Sequence, residues 1–135
     1  MVLKIIDTSI AIRWFIEEEG REKALEVLAH ILEKPLGFAV PELFFYELIH
    51  VFQKQIPRPN QTQKELFQTI FQFGWSRFPL ASDMVPKIME YQALGLSGYD
   101  SSYVALAYHL KGKWLTFDHK AHTKIRSLHL SECLV

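Results

Sequence analysis

The chain has few of the features that mark secreted, membrane or redox proteins. Its one cysteine, Cys133, cannot form an internal disulfide, which is typical of a protein kept in a reducing compartment. No apolar stretch approaches the roughly 20 residues that cross a bilayer. The N-terminus leads straight into a strand pattern, without the basic region and small-residue cleavage site of a secretory signal. We therefore expect a cytoplasmic protein with no membrane contact.

Net charge and familiar chemical motifs are also lacking. Fifteen basic and fifteen acidic side chains balance to zero, which argues against a general polyanion binder. There is neither a GxxxxGK phosphate loop nor a GxGxxG nucleotide fingerprint. His119 and His122 are spaced i, i+3, but with one cysteine and no partner cluster a zinc site is disfavoured. Ser9, Ser101 and Ser102 stand in no nucleophile elbow, so a serine hydrolase is disfavoured.

Charge is nevertheless unevenly distributed along the chain. Acids dominate residues 17–33, whereas bases dominate the sequence from residue 101 onward. The basic third is either an ordinary solvated surface or a track that leads a phosphate backbone to a site. The sequence alone leaves both interpretations open.

What the chain does have is enough apolar sequence for one packed domain over residues 1–135. It is 49% hydrophobic and 13% aromatic, which excludes a disordered chain. Apolar and β-branched runs predict strands, and apolar residues at helical spacing predict helices. The predicted strands are 2–6, 38–40, 77–80, 113–117 and an edge strand within 128–135; the predicted helices are 8–18, 21–33, 41–55, 62–73, 82–94, 97–111 and 118–125. This alternation predicts a three-layer α/β/α domain with a central parallel sheet flanked by helices.

Acidic residues stand at four places where apolar sequence gives way to polar sequence: Asp7, Glu47, Asp100 and Asp118. In an α/β fold, residues that follow parallel strands gather at the carboxyl edge of the sheet, where ligands bind. At ~4 Å and an effective dielectric of about 20, each like-charged pair costs on the order of 4 kcal/mol. Such a cluster needs protonated carboxyl groups or a divalent cation among them. A cation would make it a site for phosphate chemistry.

Each acid also has a purely structural explanation. Asp7 and Asp118 suit helix N-caps, and Ser97 with Asp100 resembles a capping box. Glu47 lies at the margin of an apolar helix stripe, where an acid is often simply solvated. The nearby Glu42, in the first turn of its predicted helix, is explained by the helix dipole. Each structural explanation is sufficient by itself. It is much less expected by chance that all four acids stand at strand ends or helix starts that an α/β sheet would direct toward one edge.

The order and spacing of these segments resemble the PIN-domain ribonucleases, most closely the small VapC-type toxins. The resemblance is carried by IIDTS at 5–9, PELFFYE at 41–47, LSGYD with YVALA at 96–107, and LTFD at 115–118. It implies a parallel sheet flanked by helices and an Mg²⁺-dependent endoribonuclease site, in which Mn²⁺ can substitute. It further implies an RNA substrate, a cognate antitoxin that holds the toxin inactive, and a homodimer.

The resemblance also assigns roles to residues. Asp7 and Asp100 are the expected central metal ligands, and Glu47 and Asp118 are expected to hold metal-bound waters or a second ion. The matching hydroxyl-bearing residues that would orient them are Thr8, Ser9 and Thr116. Two positions depart from the family pattern, and neither departure replaces one of the four acids. They are Ser101 and His50, which is either solvated or near substrate.

Other functions remain open at this stage. The chain also fits a PIN nuclease of RNA processing that is not a toxin, or a catalytically silent RNA- or protein-binding module. A receiver-like domain is disfavoured because Asp7 has no adjacent acid. The aromatic residues of the helix at 62–73 and near Trp14 belong mostly to the core, and some of them are candidates for a dimer face or an antitoxin groove.

Overall fold

The computed structural model describes residues 2–134, which contain a five-stranded sheet with all strands parallel. The strands are β1 (Lys4–Ile6), β2 (Phe38–Pro41), β3 (Ser76–Phe78), β4 (Lys113–Thr116) and β5 (Ser131–Cys133). Their order in the sheet is β3-β2-β1-β4-β5. The chain builds outward from β1 to β3, crosses back, and continues with β4 on the other side of β1. The strand order therefore reverses between β1 and β4, which is where open α/β sheets bind ligands.

Helices cover both faces of this sheet. Ile5 and Ile6 in β1 are both fully buried, as are Ala39 and Val40 in β2. Because successive strand residues point to opposite faces, burial of consecutive residues requires cover on both sides. The predicted parallel sheet flanked by helices is confirmed.

The helices are α1 (Thr8–Ile12), α2 (Arg21–Glu33), α3 (Leu43–Gln55), α4 (Asn60–Phe71), α5 (Val85–Ala93), α6 (Gly98–Leu110) and α7 (His119–Ile125). The most buried of them is α6, which contacts β1, β2, β4 and α5. It is buried continuously from Tyr103 to Ala107, so it has apolar residues all round rather than on one stripe. None of the helices within residues 2–134 is both long and apolar enough to span a membrane.

The first helix is shorter than the sequence predicts. It was expected to reach residue 18, but α1 ends at Ile12. The guanidinium of Arg13 donates to the carbonyl oxygen of Ser9 at 2.6 Å and to that of Glu19 at 2.8 Å. These contacts accompany the end of the helix at Arg13. Gly20 then precedes α2 as its N-cap, at a φ of 89°, in the left-handed region that favours glycine.

The start of α3 also differs from prediction. Pro41 was expected to open this helix, but it is the last residue of β2, and α3 begins at Leu43. The reason is sheet pairing, because Pro41 is in register with Phe78 and the N–H of Glu42 donates to the Phe78 carbonyl at 2.8 Å.

Glu42, which is explained from sequence by the helix dipole, has a hydrogen-bonding partner on β3. Arg77 donates two hydrogen bonds to its carboxylate, at 2.9 Å and 2.6 Å. These bonds lower the pKa of Glu42. The ion pair, more than the helix dipole, explains this acid.

The remaining elements differ mainly at their ends. The segment predicted as one helix over 82–94 forms a 3₁₀ turn, Ser82–Met84, followed by α5. The predicted edge strand is limited to Ser131–Cys133. Val135, the last residue of that prediction, lies outside the described residues.

Candidate active site

Asp7 lies directly beyond β1 and caps the N-terminus of α1, as its structural explanation predicts. Its Oδ1 accepts hydrogen bonds from the N–H and the hydroxyl of Ser9, at 2.9 Å and 2.5 Å. Its Oδ2 accepts from the indole Nε1 of Trp114 at 2.8 Å. Burial raises the pKa of Asp7, and hydrogen bonds from Ser9, Thr116 and Trp114 act in the opposite direction. The carboxyl group is therefore buried and held by the protein on both oxygens.

Glu47 lies on α3 and faces the same edge of the sheet. Its Oε1 accepts a hydrogen bond from the hydroxyl of Tyr103 at 2.6 Å. Burial raises the pKa of Glu47, and the charges of Asp7 and Asp100 raise it further. An acid with these neighbours is not simply a solvated side chain at the margin of a helix.

Asp100 lies in the first turn of α6, where its N–H donates to the capping hydroxyl of Ser97 at 3.0 Å. Burial raises the pKa of Asp100 to about 6, with further contributions from the charges of Asp7 and Asp118. The carboxyl group thus faces other acids rather than open solvent.

Asp118 follows β4 and caps α7. Its Oδ1 accepts a hydrogen bond from the N–H of Ala121 at 3.0 Å, and its own N–H donates to Thr116 Oγ1 at 3.0 Å. It is more exposed than the other three acids. Thr116, fully buried at the end of β4, therefore positions the backbone of the fourth acid.

The structure brings the four predicted acids into one electrostatic group. Asp7 and Asp118 follow the two strands that flank the reversal of strand order, and their charges both raise the pKa of Asp100. The charges of Asp7 and Asp100 likewise raise the pKa of Glu47. Mutual repulsion of this kind favours a bound cation at the carboxyl edge of the sheet.

The donor chemistry of this group fits one kind of ion. Within residues 2–134, no three His, Cys, Asp or Glu side chains approach closely enough to enclose a metal ion by themselves. Mg²⁺ prefers oxygen ligands, keeps several waters, and needs only one or two carboxylates. Spaced carboxylates therefore suit a hydrated hard cation, whereas a closed zinc site needs nitrogen or sulfur ligands at short range.

A cavity of about 360 Å³ opens beside Glu47. Its lining includes Thr8, Tyr46, Glu47, His50 and Tyr99. The side chains of Tyr46 and Tyr99 are 73% and 63% exposed, respectively. Both also line an adjoining, more apolar cavity of about 580 Å³ that includes Phe78, Leu80 and Met84. Of the predicted supporting residues, Thr8 lines this cavity, as does the departing residue His50. Ser9 instead hydrogen-bonds Asp7, and Thr116 accepts from the N–H of Asp118.

Sequence reasoning missed the two aromatic donors of the site, Tyr103 and Trp114. A signal existed for each. Tyr103 is three residues after Asp100 and so lies on the same face of α6. Trp114 is two residues before Thr116 and so points to the same face of β4.

An open parallel sheet with acids beyond its carboxyl edge defines an α/β protein with a candidate ligand site where the strand order reverses. The profile of the PIN domain matches residues 4–126, and the chain belongs to the PIN domain family. PIN domains are generally nucleases that use divalent metal ions. No curated protein matches the sequence.

Two solved structures share the fold over nearly the whole chain. One is a chain of a toxin–antitoxin complex from Klebsiella pneumoniae, with a TM-score of 0.71 and 15% identity over 98% of each chain. The other belongs to FitAB bound to an IR36 DNA fragment, with a TM-score of 0.65 and 14% identity over 92% of this chain and 91% of that one. At these identities the likeness shows the fold alone.

Proposed function

We propose that this protein is a metal-dependent endoribonuclease that hydrolyses RNA phosphodiester bonds and acts as the toxin of a toxin–antitoxin pair. Membership of the PIN domain family supports a nuclease. The observation that carries the proposal is the coupling of Asp7, Glu47, Asp100 and Asp118 at the reversal of strand order. A toxin–antitoxin complex among the structural neighbours supports the toxin role.

In this mechanism Asp7 and Asp100 would hold an Mg²⁺ ion, which Mn²⁺ could replace. When bound, such an ion would supply a water of lowered pKa and stabilise charge on the phosphoryl oxygens. Asp7 accepts hydrogen bonds on both carboxylate oxygens, so its carboxylate is already oriented before an ion binds. Glu47 and Asp118 orient water or substrate at its periphery, because each keeps one carboxylate oxygen outside the hydrogen bonds described above.

Two features beside the acids suit a single-stranded RNA. Tyr46 and Tyr99 are exposed and both line the cavity that contains Glu47, and nucleobases stack on such rings whatever their sequence. Lys124 is near enough to lower the pKa of Asp100. This supports the interpretation of the basic C-terminal third as a phosphate track, since a cation at the edge of the site attracts the RNA backbone.

The antitoxin and the second copy of a homodimer are proposed partners. A groove of about 590 Å³ between α3 and α4 is lined by polar side chains and by four apolar ones, Ile49, Phe52, Phe67 and Phe71. Ile49 and Phe71 are 49% and 39% exposed. An amphipathic antitoxin segment would cover these side chains, which agrees with the sequence-based expectation for the aromatic residues of this region.

Cleavage of a labelled single-stranded RNA tests the proposed activity. Wild-type protein should cut the RNA with Mg²⁺ or Mn²⁺ and not with EDTA. Asp7→Asn preserves size and keeps an acceptor for the α1 cap but removes the charge, so it should lower the rate by at least about 100-fold. Asp83→Asn, at an exposed acid in the Ser82–Met84 turn, is the matched control and should cleave normally.

The alternatives make different predictions in the same experiments. Folded wild-type protein that neither cuts RNA nor binds Mn²⁺ would favour a catalytically silent binding module, in which the acids serve as caps and hydrogen-bond acceptors. A protein that cleaves RNA but does not arrest growth when expressed alone would favour an RNA-processing nuclease. Growth arrest relieved by a co-expressed antitoxin would support the toxin.

A further inference from the structure

Two aromatic side chains reach the acidic group from within the core. Tyr103 on α6 and Trp114 on β4 are 1% and 0% exposed. Their rings stack, with centroids 6.2 Å apart and planes at 18°. Each donates its polar hydrogen to a different acid, Tyr103 to Glu47 at 2.6 Å and Trp114 to Asp7 at 2.8 Å.

These two donors restrict the rotation of the carboxylate groups of Glu47 and Asp7. The terminal torsion of a carboxylate is broad, so an unbonded carboxylate does not aim its lone pairs in one direction. The stacked rings are held by the core, and a buried Tyr or Trp polar group needs a partner. The direction of each donated hydrogen therefore sets the plane of the carboxylate that accepts it.

We propose that Tyr103 and Trp114 are positioning residues that orient Glu47 and Asp7 for the divalent cation. The proposal deepens the nuclease function and rests on it, because it takes these carboxylates to be the ones that meet the ion or its waters. Tyr103 bonds to Oε1 of Glu47, and Oε2 takes no part in this hydrogen bond. Trp114 occupies Oδ2 of Asp7, and Ser9 occupies Oδ1 from the other side. Each acid consequently has at least one carboxylate oxygen held in place by a buried aromatic donor.

A merely structural role for this pair predicts something different. If Glu47 and Asp7 only satisfy buried donors, loss of a donor changes stability and leaves metal affinity unchanged. Groups that hold metal ligands typically contribute 10–100-fold to affinity. Metal affinity measured without RNA therefore separates the two roles.

Tyr103→Phe is the most informative variant. It removes one oxygen and keeps the ring that stacks on Trp114. Tyr91→Phe is the matched control, since Tyr91 is the other well-buried tyrosine, at 3% exposure on α5, and its charged neighbours are Lys87 and Glu90 rather than the acids of the site. Mn²⁺ binding is measured by electron paramagnetic resonance on the full chain, with thermal melting of each variant alongside.

The expected result is about a 10-fold or greater loss of Mn²⁺ affinity in Tyr103→Phe, with Tyr91→Phe at the wild-type value. Trp114→Phe, which keeps an aromatic ring and removes the N–H, should weaken binding similarly; should it not fold, Tyr103→Phe decides alone. Equal Mn²⁺ affinity in wild type and Tyr103→Phe would overturn the inference while leaving the nuclease proposal standing if the wild type cleaves RNA. Absence of Mn²⁺ binding by folded wild type would overturn the inference and the metal dependence together.

Discussion

The side-chain oxygen of Ser9 accepts a hydrogen bond from the backbone N–H of Phe117 at 3.1 Å, although 108 positions separate the two residues. The same oxygen donates to Asp7 Oδ1. Ser9 thus connects the first acid of the site to the segment between β4 and Asp118. One hydroxyl group therefore adds to the β1–β4 pairing in fixing the relative position of the two acids.

Ser9→Ala should therefore slow RNA cleavage by about 10-fold, because Asp7 loses one of its orienting donors. It should also lower the free energy of unfolding by about 1 kcal/mol, since the N–H of Phe117 loses its acceptor. Ser9→Thr keeps the hydroxyl and should retain most of both properties. Ser127→Ala, at an exposed serine in the turn after α7, is the control, and equal cleavage rates in the two alanine variants would contradict the role of Ser9.

Without a metal ion, the folded protein should lose stability as pH rises from about 4 to about 6. The pKa of Asp100 is raised from 3.8 to about 6 by burial and by Asp7 and Asp118, so the folded state binds this proton more tightly than the unfolded state. The stability contributed by protonated Asp100 is present below its unfolded pKa and is lost as pH rises through its folded pKa. The raised pKa of Glu47 acts in the same direction, whereas the lowered pKa of Glu42 acts in the opposite one.

Thermal melting of wild type and Asp100→Asn in EDTA, across this pH range, measures how the stability of each protein depends on pH. The variant should melt above wild type near neutral pH, and the two curves should approach each other toward pH 4. Mg²⁺ should raise the Tm of wild type at neutral pH and affect the variant much less, because a ligand that binds the folded state stabilises it. Parallel curves for the two proteins would show that Asp100 does not carry the raised pKa.

The exposed tyrosines beside the acids should affect substrate binding more than chemistry. Replacing Tyr46 or Tyr99 with alanine should raise the KM for single-stranded RNA by about 10-fold, because stacking of one base contributes roughly 1–3 kcal/mol. The value of kcat should change little. Tyr108→Ala removes an exposed tyrosine from the far end of α6 and should leave KM unchanged. A fall in kcat with constant KM would show that the tyrosines do not contact bases.

Much of this fold follows from local sequence. The apolar run at 2–6 and the polar residues after it predict β1 and the position of Asp7, and the capping serine at 97 predicts the start of α6. Alternation of strands and helices predicts a parallel sheet, and a parallel sheet brings strand ends to one edge. The acids could be proposed as a group for this reason, without a structure.

What the sequence could not predict depends on contacts between distant residues. The end of α1 at Ile12 requires the carbonyl of Glu19 to meet Arg13, and the helical pattern continues past that point. The local sequence predicts that Pro41 begins a helix, and only its pairing with Phe78 shows that it belongs to β2. Likewise, Tyr103 and Glu47 are 56 positions apart, and their hydrogen bond has no local sequence pattern.

Ser101 gives a stability prediction beside the site. Its side chain is fully buried next to Asp100, and its Oγ has no hydrogen-bond partner among the described residues. A buried polar group without a partner costs about 1–3 kcal/mol, so Ser101→Ala should raise the free energy of unfolding by about 1 kcal/mol. Ser102→Ala, one position along, removes a hydroxyl that donates to the Gly98 carbonyl at 2.8 Å and should be neutral or slightly destabilising. Urea unfolding of both variants tests the difference, and equal changes in stability would mean that the Ser101 hydroxyl has a hydrogen-bond partner in solution.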